Sequence, residues 1–131
     1  MIKPLFIANW KMHGSVLSTR KYFENLEILF SSDVVVMPPA IFLRDSLALK
    51  RGSLELGIQN VWTGDVGAYT GEISANMAVD LGVRWVLVGH SERRKYQKEN
   101  DELIQEKVAC SLKAGLNVIL CVGETIEERN S

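Results

Sequence analysis

Five short runs of this chain are apolar without alternation: Leu5-Phe6-Ile7-Ala8, Val34-Val35-Val36-Met37, Leu54 to Ile58, Trp85-Val86-Leu87-Val88 and Val118-Ile119-Leu120-Cys121-Val122. Strands with one face in water alternate apolar and polar residues. Continuous runs suit strands covered on both faces, as in a parallel sheet packed under helices. The segments between them carry helical spacing with recognisable ends. From Ser15 to Phe30, the residues Val16, Phe23, Leu26 and Phe30 recur at steps of seven, three and four and form one apolar stripe. Pro38-Pro39 stops the second run, after which Phe42, Leu43 and Leu47 mark a short helix ending near Gly52. Ser74 caps a helix through Met77, Ala78 and Leu81 that stops at Gly82. Asn100 opens another, in which Ile104, Val108 and Leu112 step by four and Gly115 ends it. Strand and helix alternate throughout, which predicts an α/β protein built from βα units.

Size and charge narrow the function classes. A chain of 131 residues can bury one sizeable core but hardly two. With 15 Lys+Arg against 16 Asp+Glu, no global basic field exists to hold a nucleic acid, so none is expected as a partner. The apolar runs fall far short of the roughly 18 residues that span a bilayer, and Met1-Ile2-Lys3-Pro4 leads into a strand-like segment without a secretory pattern. Cys110 and Cys121 form neither a CxxC pair nor a Cys/His cluster at metal spacing. They read as reduced, largely buried thiols, so no membrane association and a cytoplasmic setting are expected. The stretch Asn60 to Gly71 lacks strong periodicity yet holds Trp62 and Tyr69. Either these aromatics tuck back onto the domain or a partner covers them.

Ligands of parallel α/β folds meet the carboxyl ends of the strands, where loops converge and helix N-termini point. There the sequence places Asn9, Trp10 and Lys11 after the first run and Gln59 and Asn60 after the third. Gly89, His90, Ser91, Glu92 and Arg93 follow the fourth, and Gly123 and Glu124 the fifth. His90 stands between a strand and a helix start, with Ser91 placed to cap. The positive end of a helix dipole disfavours imidazolium, so such a histidine tends to stay neutral and donate a hydrogen bond. With the Lys11 cation and the Asn9 amide it can polarise a carbonyl and hold a developing oxyanion, while Glu92 can orient Lys11 by an ion pair. Each residue also has a plain structural reading. His90 can be only a cap, Lys11 a solvated lysine, Ser91 to Arg94 a charged first turn, and Gln59 and Asn60 partners of loop amides. His13 reads as a surface residue, and Gly64, Gly67 and Gly71 do not make the G-x-x-x-x-G-K-[ST] phosphate loop. Composition and spacing therefore reach an α/β protein with a polar rim and no further.

The motifs reach further. Ala8-Asn9-Trp10-Lys11-Met12, Gly57-Ile58-Gln59-Asn60, Gly67 to Ser74, Val88-Gly89-His90-Ser91-Glu92-Arg93-Arg94 and Cys121-Val122-Gly123-Glu124-Thr125 resemble the triosephosphate isomerase family in order and spacing. The resemblance implies a TIM (β/α)8 barrel, of which this chain supplies about five of the eight βα units. Residues 1–131 would then be the N-terminal part of a single barrel domain, with no second domain. It implies interconversion of D-glyceraldehyde 3-phosphate and dihydroxyacetone phosphate in glycolysis and gluconeogenesis, with no cofactor and no metal. By the same resemblance Asn9 and Lys11 bind the triose phosphate substrate, and Lys11 stabilises the charge of the enediolate. His90 is the neutral electrophile that moves a proton between the substrate oxygens, a tuning known in that family and not deduced from this spacing. Glu92 partners Lys11, and Cys121 is a supporting wall. Tyr69-Thr70-Gly71 forms the dimer loop that reaches a partner's site, which implies a homodimer.

The family barrel needs eight strands and typically about 250 residues, whereas the apolar runs here number five. The family places its general-base glutamate, closing lid and glycine- and serine-rich phosphate loops after its sixth, seventh and eighth strands. Glu124 stands in a different motif and is not that base. Without a positioned base, removal of a carbon-bound proton is unassisted, and an unclosed parallel sheet leaves two exposed edges. The segment alone is expected to be inactive and marginally stable. Three readings follow: the N-terminal portion of a complete isomerase, a half-barrel completed by a separate C-terminal half, or a non-catalytic binding module that uses the retained rim.

Overall fold

Parallel strands cannot be joined by tight turns, and each crossover here carries at least one helix where it is described. A computed structural model describes residues 4–26 and 33–131. The strands β1 (Leu5–Asn9), β2 (Asp33–Met37), β3 (Glu55–Ile58), β4 (Trp85–Val88) and β5 (Asn117–Leu120) pair side by side in chain order, every pair parallel. Around them lie α1 (Val16–Asn25), α2 (Leu43–Leu49) after a 3-10 turn at Ala40–Phe42, α3 (Ala75–Leu81), α4 (Ser91–Tyr96), α5 (Asp101–Ala114) and α6 (Ile126–Arg129). No helix among the described residues is long and apolar enough to cross a membrane.

The helix ends follow the residues that signal them. Ser15 and Ser18 form a reciprocal capping box on α1. Ser74 Oγ accepts from Met77 N at 3.2 Å, and Asn100 Oδ1 accepts from Leu103 N at 3.0 Å. Gly82 and Gly115 close α3 and α5 in the left-handed region. On α1, Phe23 and Thr19 are buried while Val16 is exposed, and Phe30 lies outside the described residues.

The inward face of α5 differs from the expected one. Ile104 is buried, but Val108 is only half-buried and Leu112 is 59% exposed. Lys107 and Ser111 are buried instead. A strict step of four drifts about 40° around an ideal helix each time, so the stripe leaves the core side after one turn.

One face of the sheet packs beneath the helices, where Val36, Leu56, Ile58, Val86 and Val88 meet Phe23, Leu43, Ala78 and Ile104. The opposite face carries a second cluster of Val35, Met37 and Leu87, with Trp85, Ile119 and Cys121 against it. Gly57 makes that cluster possible, because a Cβ there would stand 2.5 Å from Met37 Cε and 3.1 Å from Trp85 Cβ. Coverage on both faces holds at β2, where Val35, Val36 and Met37 are fully buried, but not at the edges of the described sheet. Phe6 on β1 is 56% exposed and Leu120 on β5 is 47% exposed. These strands have a neighbour on one side only, so continuous apolar sequence there does not mean continuous burial.

Candidate active site

The polar residues singled out in the sequence converge where β1, β3 and β4 end. Beyond β1 the ladder continues for one bond, from Trp10 N to Met37 O at 3.1 Å, and the Trp10 ring lies edge-on to Tyr22 with centroids 4.9 Å apart. The chain then turns through Lys11 at φ 54°, one of two non-glycine residues in the left-handed region among those described. An L-residue pays about 1–2 kcal/mol there because its Cβ crowds the following carbonyl. Hydrogen bonds hold the turn from both sides. Asn9 Oδ1 accepts from Lys11 N at 2.9 Å, and Gln59 Nε2 donates to Lys11 O at 3.0 Å and to Met37 O at 2.8 Å.

Lys11 Nζ meets Glu92 Oε1 at 2.6 Å, and both side chains are about half exposed. The Lys11 hydrogen bond holds the Glu92 carboxyl below the usual carboxylate range; desolvation opposes this, and the Lys11 charge reinforces it. Glu92 sits in the first turn of α4. The cap of that helix is His90 itself and not Ser91: His90 Nδ1 accepts from Glu92 N at 3.2 Å. An imidazole nitrogen has the in-plane lone pair that a serine oxygen would otherwise supply, and Ser91 becomes the first helical residue. A nitrogen that accepts carries no proton, so the ring presents Nε2–H. Gly89 makes the bend from β4 into α4 at φ 74°. Lys11, Glu92 and His90 thus form one connected cluster, with Lys11 also lining a hollow of about 240 Å³ shared with Gln59, Asn60, Glu72 and Arg93.

The remaining site residues fall into place less directly. Cys121 follows β5, donates its N–H to Val88 O at 2.9 Å and packs against the cluster of Val35, Met37 and Leu87. Burial pushes its thiol up, against the pull of Arg94; it and Cys110 are half-buried free thiols and not largely buried ones. Tyr69, Thr70 and Gly71 are exposed, though the Tyr69 ring rests on Trp62 with centroids 5.5 Å apart. Glu124 pairs with Arg129 at 3.1 Å. No group of three or more His, Cys, Asp or Glu side chains able to hold a metal occurs among the described residues.

Sequence reasoning missed a buried charge cluster behind the site. Lys107 Nζ bonds Glu99 Oε1 at 2.5 Å and Asn60 Oδ1 at 2.8 Å and lies 5.8 Å from the Trp62 ring centre. Arg93 Nε reaches the same Glu99 oxygen at 2.7 Å. These bonds tie α4, α5 and the loop after β3 together. The available signal was positional, since Lys107 stands three residues after Ile104 and four before Ser111 on one helix face.

A sequence model of the family described as Triosephosphate isomerase matches residues 4–131. The chain belongs to the triosephosphate isomerase family. Curated relatives agree: the triosephosphate isomerase of Nitrosococcus oceani is 44% identical over 98% of this chain, and that of Hahella chejuensis 45% over all of it. That of Xylella fastidiosa (strain 9a5c) is 42% identical over 99%. The chain spans about half the length of these relatives, 54% of each. The fold is therefore about five βα units of a TIM barrel, and β1 to β5 are its consecutive strands.

Proposed function

We propose that this chain supplies the substrate-binding and electrophilic half of a triose-phosphate isomerase site, within a single barrel domain. The reaction is interconversion of D-glyceraldehyde 3-phosphate and dihydroxyacetone phosphate through an enediolate. Lys11 Nζ, oriented by Glu92, faces the negative charge of substrate and enediolate, and Asn9 presents the donor end of its amide beside it. His90 offers Nε2–H to the two substrate oxygens in turn. The observation that carries this reading is the bond from Glu92 N to His90 Nδ1 at 3.2 Å, made by the residue whose carboxylate holds Lys11 at 2.6 Å. One residue thus sets both the tautomer of the electrophile and the direction of the cation, which is preorganisation for a developing oxyanion. The carbon-bound proton needs a carboxylate base, which the family places beyond its fifth strand. A second copy of the chain is the proposed partner, met through the exposed Tyr69-Thr70-Gly71 tip.

A coupled isomerase assay tests the reading. The 131-residue chain alone should give no turnover above the free-solution rate. Supplied with the C-terminal half of the Nitrosococcus oceani relative it should turn over, and His90→Gln should then lower kcat by about 100-fold or more. Family-like turnover by the chain alone, or an unimpaired His90→Gln in the completed protein, would overturn the assignment. A second reading, triose-phosphate binding without turnover, applies to these residues by themselves, because Lys11 and Arg93 line a hollow of about 240 Å³ at the rim. Binding of dihydroxyacetone phosphate that persists while the completed protein stays inactive would favour it.

A further inference from the structure

We infer that Glu55, on the helix-free face of the sheet, selects the segment that closes this barrel: the closing strands bring a cationic side chain, arginine or lysine, to its carboxylate. Alternate residues of a strand divide between the two faces of a sheet. Val36, Leu56 and Val86 join the core beneath the helices, whereas Val35, Met37 and Leu87 cluster on the other side with Trp85 against them. Glu55 is the register partner of Val35 and stands on that second side. There its carboxylate accepts a hydrogen bond from Trp85 Nε1. Gly57, the register partner of Trp85, leaves room for the indole, since a Cβ on it would fall 3.1 Å from Trp85 Cβ. One neutral N–H serves one lone pair of a group that has about four. Among the described residues no Lys, Arg or His lies within ion-pair distance of Glu55. Asp33, two residues before Val35 on the same side of β2, is a like charge. While the face is open, Glu55 is only half-buried and solvent serves the rest of the carboxylate. Closure of a TIM barrel removes that solvent. A carboxylate left there with an indole N–H as its one partner is strongly disfavoured, and a guanidinium or ammonium from a closing strand supplies the missing donors. Val35, Met37 and Leu87 accept any apolar cover; Glu55 rejects one, which is how a single charge discriminates between partners. The inference rests on the barrel reading and adds to it what the closing strands carry.

The test titrates the 131-residue chain, Glu55→Gln and Glu55→Met with the C-terminal half of the Nitrosococcus oceani relative, read by calorimetry. That half is used as it stands and with arginine, lysine or methionine at the first inward-facing position of each of its strands in turn. At one position a cation should bind the parent chain about ten-fold or more tighter than methionine does, and the preference should vanish in both Glu55 variants. Glu55→Gln keeps an acceptor for the Trp85 indole and removes only the charge, so a preference lost in both variants is a charge effect and not a packing effect. Lysine decides the matter at any position where the arginine half fails to fold. Methionine binding the parent chain as tightly as either cation at every position would overturn the inference. So would a cation preference that survives in Glu55→Met. Failure of every half to bind any of the chains refutes the barrel reading itself, and the inference falls with it; a fault confined to Glu55 leaves the halves associating.

Discussion

Removing one member of the buried Glu99–Lys107 pair should destabilise the chain by an amount that depends strongly on which member is removed. Both side chains are almost wholly out of water, at 2% and 1% exposure. Glu99 has a second cation, since Arg93 Nε lies 2.7 Å from its Oε1, and the Arg93 side chain is 32% exposed. Among the described residues Lys107 meets no second anion; its other polar partner is the neutral Asn60 Oδ1 at 2.8 Å. Lys107→Met therefore leaves a carboxylate still paired and loses charged hydrogen bonds, about 1.5–3 kcal/mol. Glu99→Met strands an ammonium beside a neutral amide and an indole face, about 3–5 kcal/mol. The double variant replaces the pair by two apolar chains of similar length and should lie within about 1–2 kcal/mol of the parent. Its cost is then well below the sum of the singles. Urea unfolding followed by far-UV circular dichroism measures all four proteins, in a constant sulfate background that keeps the open sheet folded. The reasoning is refuted if Glu99→Met costs no more than Lys107→Met, or if the double variant costs the sum of the two.

Acid should act through the same carboxyl. Desolvation pushes Glu99 upward but the hydrogen bonds from Lys107 and Arg93 outweigh it, so its pKa is lowered. A carboxyl lowered in the folded state contributes stability above its unfolded pKa of about 4.3 and loses it as pH falls through the folded value. The parent should therefore lose more stability than Glu99→Met between pH 5 and the acid limit, to within about a unit, and equal slopes in urea midpoint against pH would contradict this. At Gly57, an alanine Cβ would fall 2.5 Å from Met37 Cε and 2.9 Å from Met37 Cγ. Gly57→Ala should cost about 1–3 kcal/mol by overpacking, and an unchanged urea midpoint would show that Met37 can move aside freely. The Lys11–Glu92 pair is half exposed, so solvent screening leaves it little weight in the stability of the fold. Glu92→Gln should thus leave the urea midpoint nearly unchanged while weakening dihydroxyacetone phosphate binding; a large loss of stability with intact binding would invert that assignment.

Much of the fold was legible because its signals are local. Each of the five apolar runs became a strand, and Ser74 and Asn100 cap the helices that follow them with the side-chain oxygens their types supply. What escaped depends on groups distant in sequence. Leu112 fits a four-residue step, yet the face of α5 is chosen by what it packs against, and a buried Lys107 is acceptable only because Glu99 and Asn60 come to meet it. The sequence at the start of α4 offers both His90 and Ser91 as caps, and only the fold shows that His90 performs it. The site residues were named by motif, but the left-handed backbone of Lys11 was not, since its restraint arrives from Gln59 through the fold.

Stability is distributed unevenly along the strand that carries the cation. β1 is an edge of the described sheet, and Leu5, Phe6 and Ile7 are all more than a third exposed. Burial of β1 alone would be a poor foundation for a residue that must point within a fraction of an ångström. The compensation lies at its carboxyl end. There Trp10 continues the ladder to Met37 O and rests on Tyr22, Asn9 holds the Lys11 amide, and Gln59 ties the Lys11 carbonyl to β2. Met37 receives both the Trp10 and the Gln59 bonds and is itself fully buried, so the aim of Lys11 is referred to the core strand β2 and not to the edge strand it leaves. An exposed edge and a well-aimed cation are compatible in one strand because the constraint is applied at the point where the chemistry needs it.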